Sequence, residues 1–155
     1  MRVLFLDIDG VLNSRRYDDE RSAADGNVDV TRLPLVRELV ERTAAVVVLT
    51  STWRAHWDPL GIQTDEIGAE LEATFRRHGI RLYDRTPMKG GNRPTEIAAW
   101  LAAHPTTQSF VILDDIKLGW GALDDHVIKT DYRIGRGLEP HHVAAAIDIL
   151  CQKTE

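Results

Sequence analysis

The sequence holds a single cysteine, Cys151, so no disulfide can form within the chain and nothing points to an oxidising compartment. No apolar stretch approaches the roughly 20 residues that a membrane helix needs. The opening run Val3-Leu4-Phe5-Leu6 is interrupted by Asp7 and Asp9, too early for the apolar region of a secretory leader, and no small-residue cleavage site follows. Positive charge is in deficit: 19 Lys and Arg stand against 24 Asp and Glu, a formal net charge of −5. That balance argues against holding nucleic acid by bulk electrostatics, although a local basic groove stays compatible with it. Repeats, low-complexity tracts and an obvious linker are also missing. These absences predict a soluble, cytoplasmic protein with no membrane contact and no stable protein partner.

What is present fits one globular domain over residues 1–155, with 43% hydrophobic and 28% charged residues. Val3 to Ile8 is a short, nearly continuous apolar run, as expected of a strand buried on both faces. Further strands are predicted over 45–50, 80–83, 110–113 and 127–129. Helices are predicted from about Pro34, from about Thr64 to Gly79, from about Pro94 to before His104-Pro105, and over 140–151 with Cys151 as a core contact. Residues 13–32 are polar and read as a long loop or small flap. Strands alternating with helices imply βαβ units and a mostly parallel sheet between two helical layers, an α/β, Rossmann-like three-layer sandwich. Ligands in such folds bind beyond the carboxyl ends of the strands.

The polar residues at those ends are Asp7 and Asp9, Thr50 and Ser51, Asp114 and Asp115, and Thr130 and Asp131. Asp7 and Asp9 share a side only if the chain stays extended between them, and Gly10 then permits a sharp departure. A single Asp after a strand commonly stabilises a turn. Two acidic pairs, each directly after a buried strand, are unfavourable unless a cation neutralises them. Hard oxygen ligands with no His or Cys nearby in sequence point to Mg²⁺.

The segment Asp7-Ile8-Asp9-Gly10-Val11-Leu12 resembles the first signature of the haloacid dehalogenase (HAD) superfamily. Thr50 after Val46-Val47-Val48-Leu49 resembles the second, with Ser51 as the alternative hydroxyl. Lys89, or else Arg93, stands where the third signature has its cation, and Lys89 is preferred by family type. Val111-Ile112-Leu113-Asp114-Asp115 resembles the fourth. Ser51-Thr52-Trp53-Arg54, the stretch Arg93-Pro94-Thr95-Glu96 and Thr130-Asp131 are similar to the small HAD domains related to Swiss Army Knife RNA-repair proteins.

This resemblance implies a capless or minimally capped phosphatase acting on a phosphorylated small molecule or nucleic-acid end. Asp7 would attack phosphorus and Asp9 would act as general acid and base, its pKa raised by neighbouring carboxylates. Mg²⁺ would be held by the Asp7 side chain, the Asp9 backbone carbonyl and Asp114, with Asp115 in direct or outer support. Thr50, Ser51, Arg54, Lys89 and Arg93 are the candidate phosphate and substrate contacts. A regulatory module that binds Mg²⁺ and phosphate without turnover is the competing class. Trp53 is open between recognition and cover for the core edge, and Arg54 between substrate recognition and pairing with an acidic neighbour. Arg15, Arg16 and Tyr17 read as a local charge cluster more than a substrate contact, and Asp131, His141 and His142 as turn and surface residues.

Overall fold

Side-chain alternation along β1 (Arg2–Leu6) sets the layering of the molecule. The computed structural model describes residues 1–152. β1 is joined by β2 (Val46–Leu49), β3 (Leu82–Arg85), β4 (Ser109–Asp114) and β5 (Val127–Lys129) in one sheet. All pairings are parallel and the order is β3-β2-β1-β4-β5, which puts β1 at the centre. The helices are α1 (Arg15–Glu20), α2 (Leu33–Thr43), α3 (Glu66–Arg77), α4 (Arg93–Ala103) and α5 (Pro140–Leu150).

Leu4, Leu6, Val47, Leu49, Val111 and Leu113 face one layer, packed against α2, α3 and α5 through residues such as Leu39, Phe75 and Val143. Val3, Phe5, Val48 and Ile112 face the other, against Ile97 and Trp100 of α4 and against Trp120. Neighbours in sequence thus go to opposite sides, which is why the strands read as unbroken apolar runs. The result is the Rossmann-like α/β sandwich expected from the sequence. Helix starts follow local chemistry: Asp65 accepts from the Ile67 N–H ahead of α3, and Asn92 from the Thr95 N–H ahead of α4, where Pro94 fills the first turn. No helix among the described residues is long and apolar enough to cross a membrane.

Three expectations need correction. The polar segment 13–32 is not loop throughout, because the Ser14 hydroxyl accepts from the Tyr17 N–H and starts α1. β3 lies two residues later than predicted: Ile80 is buried in the core before the strand begins at Leu82. Cys151 is exposed, because α5 ends at Leu150 and Leu150 makes the final core contact.

The chain steps outward from β1 to β2 and β3, then crosses back to β4 on the other side of β1. The sheet therefore has its switch point between β1 and β4, where loops diverge and leave a crevice. Register places Leu6 beside both Leu49 and Leu113, so the next residues in each strand direction, Asp7, Thr50 and Asp114, form a row. The Thr50 N–H donates to the Leu6 carbonyl at 3.0 Å and the Asp7 N–H to the Leu113 carbonyl at 3.1 Å, extending the ladder by one rung.

The loop leaving β1 is fastened from the far end of the chain. The Thr130 hydroxyl donates to the Gly10 carbonyl at 2.7 Å, and the Leu138 N–H donates to the Val11 carbonyl at 2.8 Å. Gly137 permits this approach: its φ is +83°, and a Cβ there would lie 2.7, 2.9 and 3.0 Å from the carbonyl oxygens of Val11, Asn13 and Gly10. Gly137→Ala is therefore expected to destabilise the protein by about 2 kcal/mol or more, from the strained φ and the backbone collision together. Urea unfolding of variant and wild type measures it, and an unchanged midpoint would contradict this account of the loop.

Candidate active site

Asp7, Asp114 and Asp115 each place a carboxylate oxygen within 4.8 Å of the others at the switch point. Asp7 and Asp114 are buried and Asp115 is half-buried. The Asp7 Oδ1 accepts from the Ile8 N–H at 2.9 Å, and the Asp114 Oδ1 from the Ile116 N–H at 3.0 Å. Their second oxygens share one guanidinium: Arg93 Nη1 lies 3.3 Å from Asp7 Oδ2 and 2.5 Å from Asp114 Oδ2. Burial pushes the Asp7 carboxyl up to about 7; Arg93 opposes that rise, while Asp114 and Asp115 add to it. Asp115 is also raised, by burial first and then by Asp114. Burial alone would lower the Arg93 pKa, but the charges of Asp7 and Asp114 outweigh it and raise the group.

Of the two candidate cations, the structure brings Arg93 to the carboxylates. It projects from the first turn of α4, where the helix dipole disfavours a cation and the carboxylates supply the compensation. Lys89 sits in the exposed loop before α4, and its backbone N–H donates to Glu96 Oε2 at 2.7 Å. The two candidate hydroxyls also separate. Ser51 Oγ accepts from the Trp53 N–H at 3.2 Å and so starts the 3₁₀ turn Thr52–His56. The Thr50 hydroxyl is buried beside Asp7 and has no hydrogen-bond partner among the described residues.

Arg54 does not stand free to contact substrate. Its guanidinium is buried and donates to the carbonyls of Thr50, Ser51, Thr86 and Pro87 at 2.9 to 3.1 Å and to Glu96 Oε2 at 2.8 Å. It joins the ends of β2 and β3 to α4. Because Glu96 and Arg93 lie one turn apart on α4, the Arg54–Glu96 pair also fixes the helix that delivers Arg93. The side chain is a brace within the scaffold, a role that its neighbours in sequence could not reveal.

Asp9 does not continue the strand. The Ile8 carbonyl accepts from the N–H groups of Val11 and Leu12, so the chain has begun to turn before Asp9 is reached. The Asp9 residue is exposed, and its carboxylate accepts from Asn13 Nδ2 at 2.9 Å and from Trp53 Nε1 at 3.2 and 3.4 Å. The crowding expected at Asp9 thus falls on Asp7. Next to it, Gly10 has a φ of +80°, and a Cβ there would come within 2.2 Å of Asp115 Oδ2. Only glycine lets the loop and that carboxylate share the space.

Asn13 went unnoticed in the sequence. Its Oδ1 accepts from the Gly10 N–H at 2.8 Å, while Nδ2 donates to Asp9 and also, at 3.0 Å, to the Asn27 carbonyl. One partner lies fourteen residues away, so no local pattern marks the residue. Thr130 and Gly137 were equally unmarked as fasteners of this loop. The Tyr17 hydroxyl donates to the carbonyls of Gly26 and Val28, Arg16 pairs with Glu20, and Asp131 accepts from the Arg133 N–H to stabilise a turn. The His142 ring nitrogen accepts from the Glu139 N–H at the start of α5, and His141 is exposed beside it.

The raised Asp7 pKa has a consequence for stability. A carboxyl that ionises near 7 when folded and near 3.8 when unfolded favours folding below about pH 4, and that contribution is lost as pH rises through about 7. In the presence of a chelator, Asp7→Asn should be more stable than wild type at pH 8 by on the order of a few kcal/mol, and the gain should shrink towards pH 5. Denaturant titrations at both pH values check this; a variant less stable at pH 8 would contradict the crowding described.

Neither curated proteins nor solved structures give a match to the chain. A match does come from the family described as the HAD domain in Swiss Army Knife RNA repair proteins, and it runs over residues 3–143. That span takes in β2 to β5 and all of β1 but Arg2, the row of Asp7, Thr50 and Asp114, and Arg93, and by it the chain belongs to this family of the HAD superfamily.

Proposed function

We propose that the protein is a Mg²⁺-dependent phosphomonoester hydrolase working through an aspartyl-phosphate on Asp7. The observation that carries this reading is the unpartnered, buried Thr50 hydroxyl in the same row as Asp7 and Asp114. A buried hydroxyl without a partner costs on the order of 1–3 kcal/mol, and a phosphoryl oxygen would remove that deficit. The three clustered carboxylates offer an all-oxygen set suited to a hard divalent cation. Asp7, the Asp9 backbone carbonyl and Asp114 would hold Mg²⁺, with Asp115 in direct or outer support. When bound, the cation would neutralise these carboxylates and the charge on the phosphoryl group.

In the first displacement an Asp7 oxygen attacks phosphorus while the bond to the leaving oxygen breaks, and Asp9 supplies the proton that oxygen needs. In the second, Asp9 takes a proton from water, water oxygen attacks the same phosphorus, and the Asp7 carboxylate departs. Thr50 donates to a phosphoryl oxygen and Arg93 balances charge on the phosphoryl group. Asp9 suits the proton-transfer part because it is exposed and held by two side chains. That investment in one carboxylate also supports turnover over a module that merely binds phosphate. Among substrates, the family's description favours a phosphorylated nucleic-acid end.

With p-nitrophenyl phosphate and Mg²⁺, Asp7→Asn should lose about three orders of magnitude or more in kcat, and a chelator should abolish wild-type turnover. Arg93→Met should lower kcat/KM by about 10²-fold, while Lys89→Met stays within about threefold. Steady-state kinetics on the four proteins decide this, and an active Asp7→Asn enzyme would remove the nucleophile assignment. Faster turnover of a 3′-phosphorylated oligonucleotide than of free nucleotides would support the nucleic-acid end, and the reverse order would oppose it.

A further inference from the structure

A cavity of about 520 Å³, lined by Trp53 but by none of the three clustered carboxylates, opens between the segment 24–30 and α3. Its apolar lining comprises Ile8, Val28, Val30, Trp53, Ile67 and Leu71. Val30 and Ile67 keep 45% and 39% of their surface exposed, although both are branched apolar residues facing this space. The size lies in the range of small-ligand sites. Charges at the edge cancel in part, since Arg77 pairs with Glu70 at 3.5 Å.

Two connections tie the groove to the reacting groups. The Trp53 indole lines it and, through Nε1, donates to the Asp9 carboxylate. Asn13 holds Asp9 with the same Nδ2 that donates to the carbonyl of Asn27, a residue of the groove wall. The same wall is fixed a second time, by Tyr17 donating to the carbonyls of Gly26 and Val28 on either side of Asn27. The carboxylate assigned to protonating the leaving oxygen is therefore rigidly referenced to the groove. A binding surface anchored to the acid is suited to the part of the substrate that departs.

We propose that this groove binds the leaving group of the substrate and selects one carrying an uncharged, flat ring that lies against Trp53. The proposal rests on the phosphatase reading above for its catalytic meaning, but the groove can be tested without it. An apolar lining with an indole favours a ring over a polyol, because a ring gains from apolar burial and stacking, whereas each hydroxyl of a polyol needs a partner. A benzyl group and a nucleobase share this chemistry.

The test compares benzyl phosphate, adenosine 5′-monophosphate and glycerol 3-phosphate, three esters of poorly departing alcohols that need the acid alike. The ring-bearing esters are expected to show kcat/KM at least about tenfold above glycerol 3-phosphate, with the gain in KM. Val30→Gln/Ile67→Gln, which changes two side chains already exposed, should erase that preference and leave glycerol 3-phosphate turnover unchanged. The better of the two ring-bearing esters identifies the ring as nucleobase or simple aryl. In parallel, calorimetry with Mg²⁺ compares benzylphosphonate with methylphosphonate, which needs no turnover. Tighter binding of benzylphosphonate, lost in the double variant, supports the groove even if no ester is hydrolysed, in which case only the phosphatase reading falls. Hydrolysis with no ring preference, or a preference that survives in the double variant, overturns the groove and leaves the phosphatase reading intact.

Discussion

Three carboxylates within 4.8 Å of one another at the switch point of a parallel sheet repel by on the order of 3 kcal/mol per pair at an intermediate dielectric. Arg93 is the internal answer to that repulsion, and its placement needs the whole carboxyl edge of the sheet. It reaches Asp7 and Asp114 because α4 starts where it does. α4 is held there by Glu96, which is buried against Arg54, and Arg54 is held by carbonyls at the ends of β2 and β3. A charge problem in the centre of the sheet is thus solved through a second buried ion pair about one helical turn away. Burial is the first cause of the high pKa of Asp7, and one guanidinium shared by two carboxylates does not offset that burial together with the charges of Asp114 and Asp115.

The strands and the acidic row were legible because their signals are local. Val3 to Leu6, Val46 to Leu49 and Val111 to Leu113 are apolar on both faces, and each is followed at once by an oxygen-bearing side chain. The family resemblance gave the order of the parts, but not the identity of the cation. Lys89 and Arg93 are four residues apart, and only the Asn92 cap and the brace through Glu96 decide which of them faces the sheet. Arg54 stays open in the sequence between substrate contact and an acidic partner for the same reason: its acceptors lie up to forty-two residues away, and an arginine beside a hydroxyl cluster looks the same whether it faces inward or outward. The fasteners of the loop after β1 are not legible in the sequence because Asn13, Thr130 and Gly137 act largely on backbone groups, the Gly10 N–H and the carbonyls of Gly10, Val11 and Asn27, which carry no sequence signature.

The two acids of the opening signature differ because the backbone turns between them. Had the strand run on, alternation would have put Asp7 and Asp9 side by side in the same buried row. Instead β1 ends at Leu6, the Ile8 carbonyl closes a turn onto Val11 and Leu12, and Gly10 takes a left-handed φ that makes room for Asp115. Asp7 stays in the buried row while Asp9 swings to the exterior, to the N–H donors of Asn13 and Trp53. In the mechanism proposed above, a single peptide turn therefore separates the carboxylate that would meet phosphorus from the one that would exchange protons with water and a departing alcohol. The same turn sets Asp9 against the indole that lines the groove. The geometry that keeps the acids apart is therefore also what would give the proposed leaving group a surface to lie on.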